Sequence, residues 1–178
     1  MFETISATAL IAVCAAAVWF DLRERRIPNA LTLGALAIAI VLRAPAGLDA
    51  VVDGLLGSGI AFGLALVFFL LGGLGGGDVK LLAAVGAFLG PDRLWPALFI
   101  TAMVGGAMAV VTILRHGAVR QTALNLYTIV TTLRPRSFTG WKGPEHGSAV
   151  TLDTPGVLTV PYGVAIAAGA IAGWFLWG

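Results

Sequence analysis

Residues 94–114 and 156–177 run for 21 and 22 residues without a single Asp, Glu, Lys or Arg. A helix needs about 20 apolar residues to cross a hydrocarbon layer roughly 30 Å thick, and in that layer each backbone N–H and C=O must be satisfied within the protein. Charge is scarce elsewhere too: 11% of the 178 residues are charged and 58% are hydrophobic, where a soluble domain carries about 25% charged residues. Such a chain cannot clothe a water-facing surface. A soluble enzyme, a secreted disulfide scaffold, a disordered tail and a DNA-binding domain are excluded, and nucleic acid is not an expected partner. Cys14 is the single cysteine, so neither an intramolecular disulfide nor a Cys-based zinc site can form. The expected fold class is all-α: a polytopic membrane helical bundle with about six transmembrane helices, forming one integral-membrane domain over residues 1–178 in contact with the lipid bilayer.

Six apolar segments are candidate spans: 4–20, 27–42, 51–71, 79–89, 94–114 and 156–177. Pro28 suits the first turn of the second. The fourth is short, bounded by the glycine-rich run 72–77 and by Pro91-Asp92-Arg93, so its helix is expected to start inside the membrane thickness. Basic residues set the orientation. Nine of the 11 (Arg23, Arg25, Arg26, Lys80, Arg115, Arg120, Arg134, Arg136 and Lys142) fall on one side of a six-span chain, with Arg43 and Arg93 on the other. The positive-inside rule puts the nine in the cytoplasm and both termini outside it. No Lys or Arg precedes the first apolar run and three Arg follow it, the reverse of a secretory signal, so an uncleaved first helix is expected. Residues 115–156 form a cytoplasmic loop. Within it Val119, Ala123, Leu126, Val130 and Leu133 recur at helical spacing, predicting an interfacial amphipathic helix over 118–133. Glycines four apart (Gly59 and Gly63, Gly86 and Gly90, Gly169 and Gly173) are expected to let helices pack closely.

An ionisable side chain at membrane depth is expensive and therefore points to function. Seven of the nine acidic residues fall in loops or at outer span ends, where water is near. Two differ. Asp21 closes the first span, and Asp78 follows Gly75-Gly76-Gly77 at the start of the short fourth. Between them the chain goes out and returns once, which brings both to the same side. Two carboxyls close together cannot both ionise easily and hold one proton between them. The ionised member can take a proton from water, and the protonated member can donate to a carbonyl oxygen, as in aspartic proteases. No cofactor or metal is required. An ion- or proton-coupled transporter, whose broken helices also expose carboxylates, would use Asp21 and Asp78 equally well. The residues alone leave both readings open.

Gly75-Gly76-Gly77-Asp78 resembles the Gly-x-Gly-Asp signature of intramembrane aspartyl proteases. Gly-Asp-Val-Lys-Leu around it, Asp21 with the following Arg25-Arg26-Ile27-Pro28-Asn29, and Val160-Pro161-Tyr162-Gly163 near the end of the chain resemble the type IV prepilin peptidase family. The resemblance implies a multi-pass enzyme of the cell inner membrane that cuts the basic leader from prepilins or pseudopilins at the cytoplasmic face, after a glycine. Asp21 and Asp78 match the catalytic aspartates. Gly75, Gly77, Lys80, Pro161, Tyr162 and Gly163 are then the expected substrate-binding residues. Long members also carry two Cys-x-x-Cys pairs and methylate the new N-terminus. One cysteine and no insert between the first spans resemble instead the short, protease-only form found with tight-adherence pili.

Overall fold

The computed structural model describes residues 2–70, 73–115 and 160–177. All regular structure among them is helical: α1 (Phe2–Glu24), α2 (Asn29–Arg43), a 3-10 turn (Ala44–Ala46), α3 (Leu48–Leu70), α4 (Gly76–Arg115) and α5 (Tyr162–Leu176). By length and apolar character, α1, α2 with its following turn, α3 and α4 are each able to cross a membrane, and α5 is a shorter apolar helix. The chain divides into two compact units, residues 1–106 with 161–178, and 107–160. Of the second unit, the described part is the end of α4 and Val160. The amphipathic helix expected over 118–133 lies outside the described residues.

Local chemistry sets the helix ends. Arg25, at φ 52°, takes the left-handed conformation that usually falls to glycine after a helix, and its N–H donates to the Asp21 carbonyl at 3.1 Å. Pro28 stands just before α2 rather than in its first turn, and its carbonyl accepts from the N–H groups of Leu31 and Thr32.

The expected fourth and fifth spans are two arms of α4, residues 76–89 and 91–115, broken at Gly90, whose φ of 70° and ψ of 176° no α-helix contains. The second arm thus begins at Pro91, three residues earlier than the apolar pattern places it. The first arm is about 21 Å long at 1.5 Å per residue, too short to span upright, as its sequence led us to expect. Every residue from 81 to 89 in it is buried, which is why no amphipathic period marks it.

Around this buried arm, α1 packs on α2 and on α5, and α2 packs on α3. Glycines permit the close crossings, though not all the expected ones. Gly57 of α3 and Gly86 of α4 bring their backbones into direct contact, and Gly169 and Gly173 of α5 lie against Ala97 and Thr101 in the second arm. Gly59 and Gly63 meet nothing; they sit on the outward face of α3 beside exposed Leu55, Phe62 and Val67, so the packing role expected for that pair does not hold among the described residues.

The bundle has two chemically distinct ends. At one, Arg93 pairs with Glu3 at 3.3 Å and lies over the Trp174 ring at 4.8 Å. Close by, a cleft of about 280 Å³ opens between Arg43, Asp53 and Trp174. Asp21 and Asp78 are at the other end.

Candidate active site

Asp21 sits in the last turn of α1 and is 8% exposed, the single buried carboxylate among the described residues. Its Oδ2 accepts a hydrogen bond of 2.7 Å from the Gly163 N–H, 142 positions away in the first turn of α5. Asp78 reaches the same place from α4. The helix starts at Gly76, so Asp78 is its third residue, and its Oδ2 accepts from the Gly75 N–H at 3.2 Å. That is the reach-back of a carboxylate to the amide just before a helix, rather than an N-cap by Asp78 itself. The two carboxyls lie near enough for their charges to act on each other, and Asp78 acts in the same way on the Tyr162 phenol. Arg25, one turn beyond Asp21, also lies within electrostatic reach of that carboxylate.

The glycines do not form a bare platform. A Cβ on Gly77 would stand 3.2 Å from the Ile27 Cβ, and one on Gly75 would stand 3.1 Å from the Asp78 Oδ2. Gly77 is therefore spent on close approach of the segment joining α1 to α2, and Gly75 on its own helix's cap; Gly76 is the exposed member of the run. Lys80 is exposed, and its Nζ donates to the Asn29 Oδ1 at 2.8 Å, tying the N-terminal part of α4 to the first residue of α2. Tyr162 is half-buried with its ring against Gly105. Pro161 precedes α5 without a side-chain cap. Of the expected site residues, Asp21, Asp78, Gly75, Tyr162 and Gly163 form one cluster, and Lys80 stands at its rim. Among the described residues, no three His, Cys, Asp or Glu side chains are grouped to hold a metal ion. Arg25 and Asn29 were legible only as part of a motif; the left-handed turn and the Lys80 contact that give them a place arise in three dimensions.

The model of the type IV leader peptidase family matches residues 8–110, which contain both aspartates. The chain belongs to that family. Curated relatives agree. A prepilin leader peptidase/N-methyltransferase of Bacillus subtilis is 33% identical over 115 residues, covering 62% of this chain and 46% of that protein. The protein of the same name from Aeromonas hydrophila is 35% identical over 118 residues, covering 62% and 41%. That from Myxococcus xanthus is 28% identical over 123 residues, covering 65% and 37%. The chain thus matches less than half the length of each of these relatives. No solved structure shows significant similarity to it.

Proposed function

We propose that this type IV leader peptidase family member is a membrane-embedded aspartyl endopeptidase that removes the leader from prepilins or pseudopilins of the tight-adherence type, at the cytoplasmic face of the inner membrane. The observation that carries the reading is the convergence of Asp21 and Asp78. They come from helix ends 57 positions apart, each carboxylate is held by a backbone N–H, and each lies in the field of the other. The family match and the printed name of the relatives point to the same chemistry. The choice of face follows from charge: Arg23, Arg25, Arg26 and Lys80 gather near the aspartates, and basic residues favour the cytoplasm. The tight-adherence substrate class rests on the resemblance to the short, protease-only form, through the single cysteine and the lack of an insert between the first spans.

In this mechanism the scissile peptide lies between the two carboxyls. The ionised one takes a proton from water as the water oxygen bonds to the peptide carbon. The protonated one gives its proton to the carbonyl oxygen. The tetrahedral diol then collapses: the C–N bond breaks, the amine leaves with a proton from one carboxyl, and the other recovers the diol proton. The pair ends as it began. General acid–base groups contribute about 10²- to 10⁴-fold each, so Asp21→Ala or Asp78→Ala is expected to lower leader removal at least ~100-fold with the protein still inserted. A gel-shift assay of a co-expressed prepilin reads this directly. Full processing by both variants would overturn the proposal, and ion- or proton-dependent flux with precursor length unchanged would assign the carboxylates to transport instead.

A further inference from the structure

Gly163, expected from the resemblance to bind substrate, is in direct contact with Asp21. Its N–H is one of the amides at the start of α5 that have no partner within the helix, and it donates to the Asp21 Oδ2 at 2.7 Å in a buried setting. Its missing side chain matters as much as its N–H. A Cβ there would stand 2.8 Å from Oδ2, 3.1 Å from Cβ and 3.2 Å from Cγ of Asp21. Contact that tight at the carboxyl leaves the rotamer no room to stay where it is.

The amide is itself held from behind. The neighbouring Tyr162 ring fills the space that a Cβ on Gly105 would take, at 2.7–2.9 Å from that position. Farther along, Gly169 meets Thr101 and Ala97, and Gly173 stands against Ala97 and the Arg93 carbonyl. Contacts at residues 93, 97, 101 and 105, four apart, make one stripe along the second arm of α4. The first turn of α5 cannot slide away from Asp21 without giving up that whole stripe.

We propose that Gly163 is a positioning residue: it aims the Asp21 carboxylate at Asp78 through its N–H, and it must be glycine because the carboxylate occupies the space of a side chain. The inference rests on the peptidase reading for its catalytic consequence but not for the contact itself. A displacement of about 1 Å at a reacting group costs on the order of 10²-fold in rate. Gly163→Ala is therefore expected to lower kcat for prepilin cleavage ~100-fold while KM stays within about threefold.

A thermal-stability cycle in detergent tests the contact without turnover. Gly163→Ala should lower Tm by about 3 °C or more in the chain that keeps Asp21, and by less than about half as much in the Asp21→Ala chain, where Oδ2 and Cγ are gone and the Cβ contact at 3.1 Å alone remains. A kcat within threefold of the parent, alongside an inactive Asp21→Ala, would overturn the positioning role. An equal Tm loss in both backgrounds would overturn the contact. Cleavage by Asp21→Ala would instead overturn the peptidase reading, and the Tm cycle would still decide the contact by itself.

Discussion

Arg43 shows how a single side chain can be misread from sequence. By charge counting it is merely one of two basic residues on the sparsely charged side of the membrane. In the structure its Nε donates to the Ala87 carbonyl at 2.7 Å, Nη2 to that of Phe88 at 2.9 Å and Nη1 to that of Ala50 at 3.1 Å. The need arises from the sequence of α4. In a continuous helix the Ala87 carbonyl would accept from residue 91, which is Pro91 and has no N–H, and the turn at Gly90 carries the next donor away from Phe88. Arg43 replaces both partners and adds the start of α3, and Gly54 and Gly90 leave room for its side chain. A planar guanidinium spreads its donors over three nitrogens and so reaches three separated carbonyls, whereas an ammonium's three N–H groups radiate from a single nitrogen. Arg43→Met is expected to destabilise the protein by about 3 kcal/mol, since each carbonyl left unpaired costs ~1–3 kcal/mol, and Arg43→Lys should recover less than half of that in denaturant unfolding.

At the scale of elements, α3 carries four glycines with opposite fates. Gly57 touches the backbone of Gly86, so a methyl group on either helix has no space, whereas Gly59 and Gly63 face open surroundings. Gly57→Ala and Gly86→Ala are each expected to cost about 1–3 kcal/mol through overpacking. Gly59→Ala and Gly63→Ala should be neutral or stabilise by up to about 1 kcal/mol through helix propensity. Thermal unfolding of the four purified variants separates the two pairs. The repeat of small residues four apart was visible in the chain, but its meaning was not: it marks where close packing is permitted, and a glycine is equally silent whether a backbone or a lipid tail lies beside it. The bend in α4 was half legible. Pro91-Asp92-Arg93 announced a break, while the turn at Gly90 that lets the second arm begin at once has the carbonyls before it bonded by Arg43 from elsewhere.

For the whole molecule, charge and chemistry divide between the two ends of the bundle. Arg23, Arg25 and Lys80 accompany the aspartates, and Arg43 and Arg93 mark the opposite end with Glu3. Cys14 is buried, so a Cys14→Ala chain provides a silent background for labelling. With an impermeant thiol reagent, Glu24→Cys is expected to react from the cytoplasmic side alone and Asp49→Cys from the opposite side alone, both positions being exposed. Reaction of both from one side would contradict the out-and-back course from α1 to α4.

Much of this architecture follows from the amino-acid order alone. Long runs without charge dictate membrane helices, because lipid offers the backbone no partner. Two carboxylates separated by one out-and-back excursion across the bilayer are expected on the same side, because an even number of crossings lies between them. Tertiary structure decided which groups hold those carboxylates and which close the broken helix. The Gly163 amide on Asp21 and the Arg43 guanidinium on residues 87 and 88 join positions 142, 44 and 45 apart. Contacts of that span leave no periodic trace in a chain. They exist only once neighbouring helices have brought an unpaired donor to an unpaired acceptor.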